Sequence, residues 1–274
     1  DDTMDLTIQL KPTVDAGTDA SVVCEDATSV PLNGTLGGGP FDGLEWTTTG
    51  DGTIDVSTAE DTYYTPAASD AGETRTFTLT ATCSNPCTGT VDDSFTVEFQ
   101  ELPEITAIGT GADATYCEDA TAIPLNVTIG GGPYASVLWT TDGAGTIADD
   151  SDETTTYAAS ADDGNEDVTF TLTVTPTSPC ETAVDDEFSV YIQKLPVADA
   201  GDDDTVCEDG SYTLDDASAT DYSTVTWMTT LGDGDFDNEA LLHATYTPGD
   251  GDKIAGSVVL ILVVGPENPC STGD

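Results

Sequence analysis

Val23-Cys24-Glu25-Asp26 is the first of three copies of one motif, which returns as Tyr116-Cys117-Glu118-Asp119 and Val206-Cys207-Glu208-Asp209, first 93 and then 90 residues further on. A Pro-Cys pair follows each motif cysteine after the same 63 residues, in Cys87, Cys180 and Cys270. One tryptophan lies between the two cysteines of each copy, at Trp46, Trp139 and Trp227. Spacing kept over three copies indicates a tandem repeat.

The segments between these landmarks have the periodicity of β-strands. Phe77, Leu79 and Ala81 alternate with threonines, as do Phe170, Leu172 and Val174, while 257–264 is a continuous apolar run. Alternation of this kind, interrupted by Gly, Asp, Asn and Pro clusters, predicts short strands, and no helical periodicity of useful length competes with it. We therefore predict an all-β chain of tandem immunoglobulin-like antiparallel β-sandwiches with Trp46, Trp139 and Trp227 in their cores.

The repeat pattern also predicts the domain boundaries. Residues 1–9 align with 92–100 and 185–193, which close the first two repeats, so residues 1–10 read as the closing strand of a preceding repeat. Repeat 1 then spans 11–101, repeat 2 spans 102–194 and repeat 3 spans 195–274, where we expect the closing strand to be missing. The joints contain proline and no Gly/Ser spacer, which favours a semi-rigid, rod-like array.

The seven cysteines predict one disulfide per repeat and one free thiol. The constant spacing of 63 residues predicts the bridges Cys24–Cys87, Cys117–Cys180 and Cys207–Cys270. Cys83 competes with Cys87 for the same partner, and the shared spacing and Pro-Cys context favour Cys87, which leaves Cys83 free. A bridge closing a loop of this size contributes about 4 kcal/mol in the chain-entropy model and implies an oxidising compartment.

Charge limits the classes of partner. The chain carries 53 acidic and 4 basic residues, for a formal net charge of -49. Such a chain repels nucleic acid and an anionic membrane surface. It contains no run of 18 apolar residues, so we expect no direct membrane insertion by this segment. The acidity suits a solvated surface in saline or exposed surroundings, or the binding of calcium.

Few residues of the chain suggest catalysis or metal binding. The single histidine, His243, has no counterpart in the other repeats, and a cysteine nucleophile would lack a partner, so we expect no enzymatic activity and no catalytic residues. Calcium is the one cofactor worth weighing, because a Gly-containing turn in repeat 3 places oxygen ligands at nearby positions. The candidate calcium ligands are Asp233, Asp235, Asp237 and Asn238. Paired close cysteines of the kind that bind zinc are missing.

These motifs resemble the PKD-like or Ig-like repeats of large surface adhesins of Bacteroidota, including gliding-motility adhesins. Repeat 3 carries most of the pattern, in Val206-Cys207-Glu208-Asp209, Trp227-Met228-Thr229-Thr230, Tyr246-Thr247-Pro248-Gly249 and Asn268-Pro269-Cys270. Repeats 1 and 2 keep the cysteines and the Trp-Thr-Thr element but differ elsewhere. The resemblance covers nearly the whole chain and implies a stalk that is exported to the cell surface.

The first functional hypothesis is therefore a structural and adhesive stalk of a secreted or cell-surface bacterial protein, used in adhesion, gliding or biofilm formation. Its partners would be the neighbouring repeats and an external surface or glycan. A second hypothesis is a self-assembling extracellular filament subunit joined by donor-strand exchange. A third is a carbohydrate-binding module, although Tyr63, Tyr64 and Tyr134 do not form the expected aromatic row.

Overall fold

The predicted alternation appears directly in the long strands. In a computed structural model of the chain, which describes residues 1–17, 21–109, 114–271 and 273, the side chains of Phe77, Leu79 and Ala81 are fully buried, whereas the threonines between them are partly exposed. Because successive side chains of a strand point to opposite faces, such a strand covers a core with one face only. The chain is thus almost entirely β-structure, as predicted.

Strands and short helices alternate along the described chain as follows. The strands are β1 (Pro12–Asp15), β2 (Ser21–Cys24), β3 (Val30–Asn33), β4 (Thr35–Gly38), β5 (Phe41–Thr48), β6 (Thr53–Ile54), β7 (Asp61–Thr65), β8 (Thr74–Cys83), β9 (Thr90–Gln100), β10 (Pro103–Ile108), β11 (Thr115–Cys117), β12 (Ile123–Gly131), β13 (Tyr134–Thr141), β14 (Thr146–Ile147), β15 (Thr154–Ala158), β16 (Glu166–Pro176), β17 (Val184–Gln193), β18 (Val197–Asp199), β19 (Tyr212–Thr213), β20 (Ser218–Thr220), β21 (Tyr222–Thr229), β22 (Asp235–Phe236), β23 (Thr245–Thr247) and β24 (Leu260–Pro266). Two 3-10 helices (Ala68–Asp70 and Ala161–Asp163) and one α-helix, α1 (Asp250–Ala255), lie between strands. None of these helices, in the part of the chain that is described, is long and apolar enough to cross a membrane.

The chain folds into two compact units. The first consists of Asp1–Thr106, Thr128–Val137 and Thr173–Asp185, and the second of Ala107–Val127, Leu138–Leu172 and Asp186–Asp274. The first contains the sheets β2-β9-β8-β5, β3-β7-β6 and β1-β4, and the second contains β19-β23-β22, β18-β20 and β21-β24. Strands β10 to β17 form the sheets β10-β12-β15-β14 and β11-β17-β16-β13.

In each repeat, the strand that carries the tryptophan lies at an edge of its sheet. In repeat 1, β5 pairs with β8 so that Trp46 lies opposite Leu79, and in repeat 3, β21 pairs with β24 so that Trp227 lies opposite Leu262. Both tryptophans are 1% exposed, as is Trp139. Each indole Nε1 donates a hydrogen bond to a backbone carbonyl oxygen, at 3.0–3.2 Å, which satisfies the only polar atom of the buried side chain.

One pairing departs from the predicted antiparallel arrangement. The strand that carries the motif cysteine is parallel to the closing strand of its own repeat, with Cys24 opposite Gln100 in β2–β9 and Cys117 opposite Gln193 in β11–β17. Most of the repeat separates these two strands in sequence, and a long connection permits parallel pairing where a hairpin would not. The motif cysteine is thereby fixed beside the last residue of the closing strand.

Candidate functional site

The joint between repeats 1 and 2 is assembled around Gln100, at the end of β9. Glu25 N–H donates to the Gln100 carbonyl oxygen at 2.9 Å, and Cys180 Sγ lies 3.6 Å from the same oxygen. The Gln100 amide Nε2 donates to the Thr177 carbonyl oxygen at 2.8 Å. The motif of one repeat and the Pro-Cys end of the next therefore meet at a single residue of the closing strand.

The disulfides formed at these joints correct the predicted pairing. Cys24 is bonded to Cys180 and Cys117 to Cys270, with Cα–Cα distances of 4.8 and 4.9 Å and sequence separations of 156 and 153 residues. The predicted bridges Cys24–Cys87, Cys117–Cys180 and Cys207–Cys270 are thus wrong, and the bridges do not lie one within each repeat. Each bridge instead joins the motif cysteine of one repeat to the Pro-Cys cysteine of the following repeat.

The predicted pairing is wrong because of where the Pro-Cys pair of each repeat lies. In repeat 1, Cys87 lies beside Gln9, with its Sγ 3.5 Å from the Gln9 carbonyl oxygen, whereas Cys24 lies beside Gln100. The two predicted partners are therefore fixed at different places, Cys87 beside Gln9 and Cys24 beside the closing strand β9. In the same way, Cys270 Sγ lies 3.4 Å from the carbonyl oxygen of Gln193, the residue opposite Cys117.

Three cysteines remain free thiols. Cys83, which was predicted to be free, is buried at the end of β8 opposite Phe41, while Cys87 is half-buried and Cys207 is exposed. Cys87 and Cys207 were both predicted to be bonded. Each has bonded counterparts in the other repeats, because Cys207 corresponds to Cys24 and Cys117, and Cys87 corresponds to Cys180 and Cys270.

Polar side chains reinforce the bridged joints. Glu25 Oε1 accepts a hydrogen bond from the Leu102 backbone N–H at 3.1 Å, and Asp26 Oδ2 accepts one from the Thr182 hydroxyl at 2.8 Å. The Glu and Asp residues of the motif therefore contribute to the joint, as the motif cysteine does. In the second unit, Asn165 Nδ2 donates to Asp221 Oδ1 at 2.7 Å.

A buried tyrosine–aspartate pair recurs in every repeat, and the predictions made from the sequence did not include it. The Tyr hydroxyl donates to the carboxylate of an aspartate six residues later at 2.5, 2.7 and 2.6 Å and accepts a hydrogen bond from a glycine backbone N–H. The three pairs are Tyr64–Asp70, Tyr157–Asp163 and Tyr246–Asp252. Their constant spacing is the sequence signal that reveals them.

Burial and hydrogen bonding shift the pKa values of both partners of each pair. Burial and the hydrogen bond to Asp70 raise the pKa of Tyr64 to about 12. Burial by itself would raise the pKa of Asp70, but the hydrogen bonds from Tyr64 and from backbone N–H groups outweigh it and lower that pKa. Arg75 adds an ion pair, with its Nε 2.8 Å from Asp70 Oδ1, although this N–H is not aligned for a hydrogen bond.

Glycine is required beside the tyrosine hydroxyl. A Cβ on Gly145 would lie 2.6 Å from Tyr157 Oη, and a Cβ on Gly234 would lie 2.5 Å from Tyr246 Oη. Both distances are shorter than any normal carbon–oxygen contact. The turn of repeat 2 therefore keeps this glycine even though Gly143-Ala144-Gly145 replaces the Gly-Asp-Gly of repeat 3.

The candidate calcium ligands do not form a metal site in the described part of the chain. Asp233 accepts hydrogen bonds from the backbone N–H groups of Gly251 and Asp252, Asp237 accepts from Thr245, and Asn238 accepts from Ala240. Asp235 is exposed in β22. Within the described ranges, no group of three or more His, Cys, Asp or Glu side chains is placed to hold a metal ion.

His243 has a structural contact. Its Nδ1 lies 3.0 Å from the Leu214 backbone carbonyl oxygen, and the neighbouring Ala244 is fully buried in the core of repeat 3. A nucleophile that this imidazole activates would have to lie within hydrogen-bonding distance of one ring nitrogen. The carbonyl contact uses Nδ1, and it fits a residue that holds the β19–β23 region together.

Comparison with known proteins shows the fold. No protein-family model and no curated protein matches the chain. Among solved structures, mouse cadherin-23 repeats EC22–24 match with a TM-score of 0.50 at 13% identity, over 94% of this chain and 94% of that one. The N-terminal eight Ig domains of Down syndrome cell adhesion molecule match with a TM-score of 0.49 at 12% identity, over 93% of this chain and 36% of that one, so this chain spans about a third of that structure. The chain thus has the fold of tandem β-sandwich repeats, of which cadherin-23 is an example.

Proposed function

We propose that the chain is a segment of an extracellular structural and adhesive stalk whose consecutive repeats are covalently locked to one another, and that it is not an enzyme. The observation that carries this proposal is the pair of bridges Cys24–Cys180 and Cys117–Cys270. A disulfide inside one domain stabilises that domain alone, whereas a disulfide across a joint also transmits tension between domains. Such joints suit a protein that carries load outside the cell, where disulfides persist.

Composition supports the same role. The acidic surface, with a net charge of -49, keeps neighbouring stalks apart and soluble in salt. We infer a cell-surface protein of a bacterium, used in adhesion, gliding or biofilm formation, from the resemblance of the repeats to Bacteroidota adhesins. Its binding target would be an external surface or glycan engaged by other parts of the protein or weakly at many repeats.

Single-molecule pulling between the two ends tests the mechanical role. The fully reduced chain of 274 residues should extend to roughly 950 Å. The oxidised chain should stop at roughly 300 Å, because its shortest covalent path runs only through 1–24, 117–180 and 270–274. Equal extension with and without reductant would overturn the locked-stalk proposal.

A double variant separates the two possible pairings. Cys24→Ser with Cys180→Ser leaves only the Cys117–Cys270 bridge, so the chain should stop at roughly 420 Å. Bridges within repeats would instead leave only Cys207–Cys270 in this variant and allow roughly 740 Å. Immunogold labelling of source cells with an antibody against the chain tests the location, and label confined to the cell interior would contradict the proposal.

A further inference from the structure

In repeat 1, the buried aspartate of the Tyr–Asp pair is neutralised by Arg75, the single arginine of the sequence. Its Nε lies 2.8 Å from Asp70 Oδ1, and its Nη2 donates to the Ser69 carbonyl oxygen at 2.6 Å. The same Nη2 lies 3.8 Å from Asp51 Oδ2. The guanidinium group is therefore held by oxygen atoms of three residues, and its side chain is only 16% exposed.

Repeat 2 has the same buried aspartate but no arginine beside it. In the alignment of the repeats, Asp163 takes the position of Asp70, and Val168 takes the position of Arg75. Val168 is 2% exposed, and its short side chain carries no polar group. In the described part of the chain, the ion pairs of lysine and arginine do not include Asp163.

A cavity of about 180 Å³ lies at this place in repeat 2. It is lined by the counterparts of all four residues that build the arginine site of repeat 1. These lining residues are Ala144, Asp162, Asp163 and Val168, which align with Asp51, Ser69, Asp70 and Arg75. Repeat 2 therefore has an open space where repeat 1 has a guanidinium group.

The cavity is also more acidic than the site in repeat 1. Five carboxylates line it, from Asp142, Asp162, Asp163, Glu166 and Asp167. Three of these positions are neutral in repeat 1, where they hold Thr49, Ser69 and Thr74. Because like charges close together raise the free energy of one another, a cation in the cavity would stabilise all five carboxylates.

The spread of these carboxylates favours an organic cation over a metal ion. Among the described residues, no three acidic side chains are placed to hold one metal ion. A guanidinium group is planar and carries five N–H donors in a fork, so it reaches acceptors that lie apart. Asp163 Oδ1 accepts a hydrogen bond from the Ala144 N–H at 2.6 Å, and it is the counterpart of the Asp70 oxygen that faces Arg75.

We propose that the cavity of repeat 2 binds the guanidinium group of an arginine side chain on a partner protein, in the place that Arg75 fills in repeat 1. The bound group would contact Asp163 Oδ1 and the Asp162 carbonyl oxygen, as Arg75 contacts Asp70 and Ser69. A second copy of this sequence does not supply it, because Arg75 is engaged in its own repeat. The proposal goes beyond the stalk function, which requires no ligand, and does not rest on it.

Amide NMR shifts of the isotopically labelled full chain measure binding at both repeats in one titration. N-acetyl-L-arginine amide (capped arginine) should shift the Ala144 and Gly145 amides saturably, because their N–H groups donate to Asp163 and Tyr157. N-acetyl-L-lysine amide has the same charge and should bind about tenfold more weakly, because it lacks the planar fork of donors. Equal affinities for the two compounds, or no saturable shift at Ala144, would overturn the proposal.

Methylguanidinium chloride separates the two sources of the same cation. If the site accepts a side chain, methylguanidinium and capped arginine should bind with similar affinity, because the cavity holds only the guanidinium group. Binding of methylguanidinium without binding of capped arginine would assign the cavity to small free guanidinium compounds, and the assignment to a protein side chain would be wrong.

A variant that copies repeat 1 tests the location of the site. Val168→Arg places an arginine at the position of Arg75, so it should fill the cavity and weaken the binding of capped arginine about tenfold. Unchanged binding in this variant would contradict the location.

A second pair of variants leaves the core intact and tests the location even if Val168→Arg does not fold. Asp162→Asn with Asp167→Asn removes two exposed carboxylates of the cavity and should weaken binding. Asp185→Asn with Asp186→Asn is the matched control, since it removes the same charge from exposed positions at the start of β17 and should leave binding unchanged. An equal loss of affinity in both double variants would show attraction by net charge alone and would overturn a defined site. None of these results affects the bridges between repeats, which the pulling experiment tests separately.

Discussion

At the scale of single residues, the same tyrosine–aspartate pair is used three times to hold a turn. Tyr64 joins the core of repeat 1, at 4.9 Å from Phe77 between ring centroids, while its hydroxyl bridges Asp70 and the Gly52 N–H. A buried carboxylate is costly unless it is fully hydrogen-bonded. Asp70 therefore depends on its tyrosine, and the tyrosine depends on its protonated hydroxyl.

This dependence predicts a pH profile for stability. Because folding raises the pKa of Tyr64 and of Tyr246 to about 12 from 10.0, their contribution is complete below pH 10 and is lost as the pH rises from 10 towards 12. Because folding lowers the pKa of Asp70 below 3.8, its contribution is present above that value and is lost as the pH falls through the lowered pKa. Denaturation midpoints measured from pH 2 to pH 12 should show both losses.

Tyr64→Phe should lower the free energy of unfolding of repeat 1 at pH 7 by about 1–3 kcal/mol, because Asp70 loses a buried hydrogen-bond donor. The variant should also lose less stability above pH 10, and less at acid pH, because without the Tyr64 hydrogen bond the pKa of Asp70 in the folded state lies closer to its unfolded value. Tyr63→Phe is the matched control, since the neighbouring Tyr63 is 56% exposed and should change little. A Tyr64→Phe profile parallel to that of the wild type would contradict the assignment.

At the scale of elements, the strands could be read from the sequence but the bridges could not. Alternation around Phe77 and Phe170 predicts β8 and β16, and a lone tryptophan in a polar, strand-like segment predicts a core position. In a tandem array, however, a cysteine that recurs at constant spacing has equivalent candidates in its own repeat and in the next. The spacing is regular for both choices, at 63 residues within a repeat and 156 or 153 residues across a joint. Only the position of Cys87 beside Gln9 and of Cys180 beside Gln100 decides between them.

The remaining surprise at this scale is the parallel edge strand. Short segments such as Ser21–Cys24 contain no information about whether they pair with a following or a distant strand. The Tyr–Asp spacing of six residues, by contrast, was visible in all three repeats. In the sequence, however, the segments that contain these pairs resemble ordinary loops. The interaction depends on burial of the carboxylate, and burial follows only from the packed fold.

The bridges predict a stability difference between oxidised and reduced protein. Cys24→Ser with Cys180→Ser should lower the free energy of unfolding by up to about 5 kcal/mol, because that bridge closes a loop of more than 150 residues in the chain-entropy model. Guanidinium titrations measure this loss, and Cys83→Ala is the control without a bridge. Non-reducing peptide mapping should recover Cys24 joined to Cys180, and a Cys24–Cys87 peptide would refute the joint geometry.

At the scale of the whole molecule, the large negative net charge determines how the stability of the fold responds to salt. A net charge of -49 with only four lysines and arginines means that nearly every exposed charged group repels the charged groups around it. The described part of the chain contains few ion pairs to offset this, and the best of them, Arg75 with Asp70, lies in a turn of repeat 1. Folding therefore concentrates negative charge, and the folded state gains more than the unfolded chain when salt screens it.

We predict that the midpoint of thermal unfolding rises with ionic strength, because the Debye length falls from about 30 Å at 0.01 M to about 3 Å at 1 M. Sodium chloride, magnesium chloride and calcium chloride at matched ionic strength distinguish screening from binding. Screening alone raises the midpoint by a similar amount in all three salts. A general effect of divalent cations would be shared by magnesium and calcium. Since Asp233, Asp237 and Asn238 accept backbone hydrogen bonds, we expect no calcium-specific increment. An increment present with calcium, absent with magnesium and removed by Asp235→Asn with Asp237→Asn would instead establish the calcium site that the turn in repeat 3 suggests.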